Sequence, residues 1–271
     1  RQRISAILDF LEGKFKLNNL RILKQFNGCC FADLDLKQQG VIEDFQLLFY
    51  IIQPPTPERV KYDIFDRVNR GGTPLNKQEM RNALYRGRCT RMLDKLCCSP
   101  EFLIATGRSI NKERMKDQYV VLRAMAFLML HRGEFKDIPA LQYRGDIDDF
   151  LARFMVYVND NAPEKLIVDY ENLFIRCMQI SYDLLGENGF RFSGNGIRRP
   201  INMPLFEALS YLFSFVPEKI DYTWASRLIL DIESVKEEFD DSRYFSGNID
   251  STTSVSFRFD RMDKIINRIQ L

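Results

Sequence analysis

Arg67, Asn69, Arg70, Gln78, Arg81 and Asn82 crowd a glycine turn, Gly71-Gly72, between residues 64 and 85. Guanidinium and amide donors gathered at a turn favour the holding of an anion. A helix that starts beside them adds free N–H groups and the positive end of its dipole. Spacing gives the elements that must position these groups. Ile64, Phe65 and Val68 keep an apolar helical face that stops at Asn69-Arg70-Gly71-Gly72, where glycine can take the left-handed φ that ends a helix. Pro74 suits a first turn, and Asn76 followed by Glu79 has the spacing of a capping box ahead of Met80, Ala83 and Leu84. The same pattern also describes a helix–turn–helix corner whose polar residues cap helix ends and face water.

The run Phe65-x3-Asn69-x-Gly71-Gly72-x2-Leu75-x3-Glu79-x-Arg81-Asn82 resembles the signature of the GmrSD-type restriction endonuclease N-terminal domain family, whose core is similar to the ParB/sulfiredoxin nucleotide-binding fold. Arg1-Gln2-Arg3, leading into the apolar Ile4 to Leu11, is similar to the tail of that family's Asp-Gly-x-Gln-Arg segment. Its Asp-Gly half is absent, so the chain reads as N-terminally truncated. Met115 to Arg123, a helix with an arginine after Leu122, resembles the family more weakly; Arg123 also suits a structural ion pair with a helix acid.

The resemblance implies a cytoplasmic module of a bacterial or phage-defence system that binds a nucleoside triphosphate and, in some members, hydrolyses it. It implies a divalent metal such as magnesium with the nucleotide, no metal ligands from the protein, and a partner nuclease domain or subunit that cuts DNA. In this reading Gln2 and Arg3 touch phosphate. Asn69, the Gly71 and Gly72 backbone, Arg81 and Asn82 line the opposite wall, and the catalytic candidates are Arg3 and Glu79, the latter orienting a water. Two other readings stay open. One is a non-catalytic DNA- or protein-binding module, and the other is a chain inactive by itself because half the phosphate loop is missing.

Composition fits a water-soluble globular protein: 45% apolar, 28% charged and a net charge of +2 over 271 residues. No apolar run reaches the roughly 20 residues needed to cross a bilayer. Charge is uneven. From 66 to 95 there are eight bases (Arg67, Arg70, Lys77, Arg81, Arg86, Arg88, Arg91, Lys95) against three acids, which suits either a phosphate-bearing partner or a solvated helix face. The six cysteines (29, 30, 89, 97, 98, 177) lack zinc or thioredoxin spacing and read as reduced, mostly buried thiols. His131, the sole histidine, reads as the end of a helix. One histidine cannot make the pair an HNH nuclease needs, and no Gly-x-Ser-x-Gly elbow exists to join it in a hydrolase triad.

The fold class read from these patterns is α+β, mostly α. A small N-terminal sheet portion, ParB/sulfiredoxin-like by resemblance, occupies 1–87 and a helical portion 88–271. Strands are expected at 15–17, 23–26, 30–34 and 47–52, with Asn27-Gly28 as a hairpin turn. Helices are expected at 4–12, 36–45, 88–97, 100–105, 112–130, 146–159, 163–185, 203–215, 222–239 and 255–269. The Gly-rich stretch 186–200, with Arg191, Arg198 and Arg199, reads as a connection or as a second anion contact; it matches neither a P-loop nor a dinucleotide fingerprint.

Overall fold

The structure is a computed structural model that describes residues 2–48, 75–192, 198–217 and 221–269, with the single positions 51, 60, 64 and 67. The chain divides into two compact units, Arg1–Pro55 and Thr56–Leu271.

The first unit holds α1 (Gln2–Leu11) and α2 (Leu36–Glu43). Asp35 starts α2 as an N-cap, its carboxylate accepting the Gln38 N–H while the Gln38 side chain returns to the Asp35 amide. The apolar centre of this unit is small. Phe10 and Leu34 are buried, and the Phe10 ring meets Phe15 at 5.6 Å and Phe31 at 6.0 Å.

The expected N-terminal sheet does not form: among the described residues there is no strand. Lys24–Phe26 and Phe31–Asp33 are 3-10 turns instead. The N–H groups of Phe26, Asn27 and Cys29 bond to carbonyls three residues back, which consumes donors that a ladder would use. Side chains lock this arrangement. Asn27 binds both the amide and the carbonyl of Leu20, and the Asp33 carboxylate takes the Cys30 N–H at 2.9 Å. Asn27-Gly28 does turn the chain, with Gly28 at φ 87° and the Cys29 N–H on the Phe26 carbonyl, but it does not pair 23–26 with 30–34; Gly28 N–H and the Cys29 carbonyl bond back to Leu17 instead. Of the expected 47–52 strand, residues 49, 50 and 52 lie outside the described residues; Leu47 and Leu48 are exposed and take no strand pairing. A lone hairpin of 23–26 with 30–34, without a third strand or a packed face, is not stable enough to prevail over these local bonds. The class is therefore mostly α, without the sheet portion, over the described residues.

The second unit is helical: α3 (Lys77–Leu84), α4 (Arg88–Cys97), α5 (Pro100–Ala105), α6 (Lys116–His131), α7 (Ile147–Asp160), α8 (Glu164–Leu185), α9 (Met203–Phe213), α10 (Tyr222–Asp240) and α11 (Thr252–Ile269). Of the helix expected ahead of Asn69, only positions 60, 64 and 67 are described, and they are helical. Helices α6 and α9 are buried on nearly every side, from Val120 to Met129 and from Pro204 to Phe213, and pack on each other at the centre. Around them, α4, α7 and α8 cover α6, α8 and α11 cover α9, and α5 lies on α8.

Starts are set by side-chain caps. Ser99, Asp146, Asn202 and Asp221 each accept a first-turn N–H of the helix that follows. Helix α11 begins at Thr252, three residues before its apolar pattern, because the Ser251 hydroxyl accepts the Ser254 N–H and makes the polar run a cap and first turn. Helix α6 begins at Lys116 rather than 112, because Arg114 and Met115 both take left-handed backbone, φ 56° and 58°. One charged cluster pins the centre. Glu207 of α9 accepts Arg123 of α6 with one oxygen and Arg258 of α11 with the other at 2.8 Å, and Arg123 also holds Asp250 at 2.6 Å.

Candidate functional site

A cleft of about 530 Å³ opens where the start of α3 meets the loop before α6. Asn76, Lys77, Gln78 and Arg81 form one wall, and Asn111, Glu113, Arg114, Met115, Lys116 and Tyr119 the other. Asn76 holds the walls together. Its side-chain oxygen accepts the N–H groups of Gln78 and Glu79, both at 2.8 Å, and its amide nitrogen donates to the Arg114 carbonyl at 2.7 Å. Glu79 completes the capping box that spacing predicted: Oε2 accepts the Asn76 N–H at 2.7 Å and an Arg114 guanidinium N–H at 3.0 Å. Burial disfavours the Glu79 charge, but the bond from Arg114, the Asn76 N–H and the Arg114 charge together hold its carboxyl below the usual carboxylate range.

Arg81 is fully buried in the floor. Its Nε donates to Gln78 at 3.0 Å, its Nη1 to Asp148 of α7 at 2.8 Å, and its guanidinium lies 5.2 Å from the centre of the Tyr119 ring. Its Nη2 is closed off from bulk water and has no acceptor. Leaving such a donor unmet costs about 1–3 kcal/mol, and a bound oxyanion would relieve it. Asp148 also holds Lys77. Burial works against the Asp148 charge, but the bonds from Lys77 and Arg81 and their charges prevail and keep its pKa below the ordinary value. The lining thus carries four cations, Lys77, Arg81, Arg114 and Lys116, against one acid, Glu113, which the Asn111 amide holds at 2.9 Å. Such a site can bind an anion.

Glu79, Arg81 and Asn82 all stand on α3, where Arg81 lines the cleft and Glu79 caps the helix outside that lining. Asn82 stands apart from the cleft lining; it accepts from Gln78 at 2.8 Å and donates to Gln118 and to the Met115 sulfur. Gln2 and Arg3 open α1 in the Arg1–Pro55 unit, with their side chains outside the described residues. Asn69, Gly71 and Gly72 also lie outside them. The cleft-lining Asn111, Arg114, Lys116 and Tyr119, and Asp148 behind it, escaped sequence reasoning. No local spacing pairs residue 76 with 114, or 81 with 148.

Four of the eight bases of 66–95 are answered by acids from later helices. Lys77 and Arg81 hold Asp148, Arg88 holds Glu164 at 2.9 Å, and Lys95 holds Glu171. In the 186–200 connection, Arg191 bonds the carbonyls of Glu187, Arg199 and Thr106 and the Ser109 hydroxyl, Arg198 holds Glu187 at 2.6 Å, and Arg199 holds Asp240. These arginines tie loops together rather than converge on one point. Arg123 makes the structural ion pair that its place on a helix suggested. His131 ends α6 with its ring stacked on Phe259. All six cysteines are free; Cys89, Cys97 and Cys177 are buried, and burial pushes the Cys177 thiol up to about 12.

No protein family, curated protein or solved structure matches the chain. Among the described residues, no group of three His, Cys, Asp or Glu side chains could hold a metal ion, and no helix is long and apolar enough to cross a membrane.

Proposed function

We propose that this chain is a nucleotide-binding module that holds the phosphates of a nucleoside triphosphate in the cleft at the start of α3. The observation that carries this reading is the lining: four cations against one acid, with the buried Arg81 guanidinium lacking one acceptor. Lys116 is exposed at the rim, while Lys77 and Arg114 reach the same space from side chains 67% and 53% exposed, so their ion pairs can open toward an incoming anion at small cost. The likeness of the Phe65 to Asn82 run to the GmrSD-type family extends the proposal to hydrolysis and to a nuclease domain or subunit as partner, in bacterial or phage defence. A divalent metal such as magnesium would arrive on the phosphates. The described residues offer it no cage of three His, Cys, Asp or Glu side chains.

In that extension Glu79 orients the attacking water with the oxygen that does not cap the helix. DNA binding without chemistry has less support, because the cations that converge line one cleft, while Arg88 and Lys95 of the same basic run hold Glu164 and Glu171 of α8. Calorimetric titration of the chain with ATP, GTP, CTP and UTP tests the proposal. The expected result is binding of at least one of them that weakens in Lys116→Ala while the melting temperature holds. Absence of binding by all four would overturn it. Phosphate release that persists in Glu79→Gln would remove Glu79 from the chemistry.

A further inference from the structure

A base is read by stacking on an open aromatic face and by hydrogen bonds to its edge, and a site with neither cannot tell one base from another. The described lining has one aromatic ring, Tyr119. The Arg81 and Arg123 guanidinium carbons lie 5.2 and 5.5 Å from its centre, and its hydroxyl accepts from Arg123 at 3.1 Å. The three amide side chains that could read a base edge are in use at both ends. Asn76 caps α3 and holds the Arg114 carbonyl, Gln78 accepts from Arg81 and donates to Asn82, and Asn111 binds the amide and the carboxylate of Glu113. What the cleft offers is charge: the unmet Arg81 Nη2, the exposed Lys116 ammonium, and Lys77 and Arg114, whose solvent-exposed pairs with Asp148 and Glu79 a phosphate can replace.

We infer that this cleft recognises a chain of phosphate groups and leaves the base unread. The inference rests on the nucleotide reading above and names the part of the ligand that does the binding. Its donors suit phosphate well: the ammonium groups act as point charges, Arg81 has Nη2 left to give, and the Arg114 guanidinium can offer two parallel N–H groups once its pair with Glu79 opens.

The test is calorimetric titration of the whole chain, at low ionic strength, with inorganic tripolyphosphate, ATP, UTP and adenosine. Tripolyphosphate, ATP and UTP are expected to bind within about fivefold of one another, a spread of about 1 kcal/mol, with adenosine silent. Lys116→Ala is expected to weaken all three anions by a similar factor at unchanged melting temperature, and Arg114→Gln to weaken them similarly with a small fall in melting temperature from the lost pair with Glu79. Preference for one triphosphate over the other, or over tripolyphosphate, by more than about tenfold would overturn the inference and leave the nucleotide reading standing. Binding of tripolyphosphate without ATP or UTP would overturn the nucleotide reading. No binding of any anion, or affinities unmoved in both variants, would overturn the assignment of the cleft itself.

Discussion

Replacing the sole histidine, His131→Phe, gives a clean test of how the centre of the second unit is built. The imidazole stacks on Phe259 with ring centres 3.6 Å apart and planes 9° apart, and Tyr211 and Phe127 stand at 5.7 and 6.3 Å. Its Nε2 is buried without a partner. Burial first, and then the nearby Arg258 charge, lower its pKa to about 3. The folded value lies below that of the unfolded chain, so the neutral ring contributes stability fully above about pH 6.5 and loses it as pH falls from there toward the folded value. At about pH 5 the unfolded chain takes up the proton and the folded one does not, a loss of about 2 kcal/mol relative to about pH 7.5.

The Phe variant lacks that loss. Near neutrality it should be at least as stable as the parent, because an orphaned buried nitrogen costing about 1–3 kcal/mol is gone. Urea unfolding of both proteins at the two pH values measures the difference. Proton NMR measures the titration itself, since one histidine gives one imidazole resonance to follow. A folded-state midpoint between about pH 6 and 7, or equal losses of stability in parent and variant, would refute the reasoning. Nucleotide hydrolysis that disappears in a stable His131→Phe protein would return this residue to the list of candidate bases.

Glu207→Gln removes the carboxylate that accepts both Arg123 and Arg258, each at most 1% exposed. Two buried guanidinium groups then share the part-exposed Asp250, which should cost about 3–5 kcal/mol and lower the melting temperature by on the order of 10 °C. A calorimetric scan with a fall of less than about 3 °C would show that solvent or other groups already neutralise them. Glu79→Ala should cost about 0.5–2 kcal/mol through loss of the capping box and the Arg114 pair. The Glu79 carboxyl titrates below its ordinary range when folded, so the contribution is full above about pH 4.5 and fades as pH falls through the lower folded value. Urea midpoints of parent and Glu79→Ala should therefore differ near neutrality and converge in acid. A gap that does not shrink would mean that packing, not charge, carries the effect.

Sequence alone determined where most of the helices lie and several of their ends, though not the starts of α6 and α11, at Lys116 and Thr252 rather than 112 and 255. Apolar spacing placed α4 and α5, and Asn76 with Glu79 announced a capping box that the structure contains. Such signals are local: a helix hydrogen bond spans four residues and a cap spans three, so the donors and acceptors that decide them are near neighbours in the chain. The same locality misled at 15–34. Alternating apolar residues and Asn-Gly suggested a hairpin, but pairing needs partner strands and a face to bury, and bonds within the turns satisfied the backbone first.

Tertiary structure decided which charges are spent and which are left. In the sequence Lys77, Arg81, Arg88 and Lys95 look alike, a basic run open to phosphate; packing gives all four an acid 67 to 76 residues away. Arg81 differs from the rest because α3 turns it into the floor beside Tyr119, where two of its nitrogens find acceptors and Nη2 finds none. The walls of the cleft are joined by Asn76, which reaches the carbonyl of Arg114, 38 residues on, and by the pair of Glu79 with Arg114. Charge type is written in the residue, but whether a charge is neutralised depends on distance and burial, and those are set by helices that meet across the core.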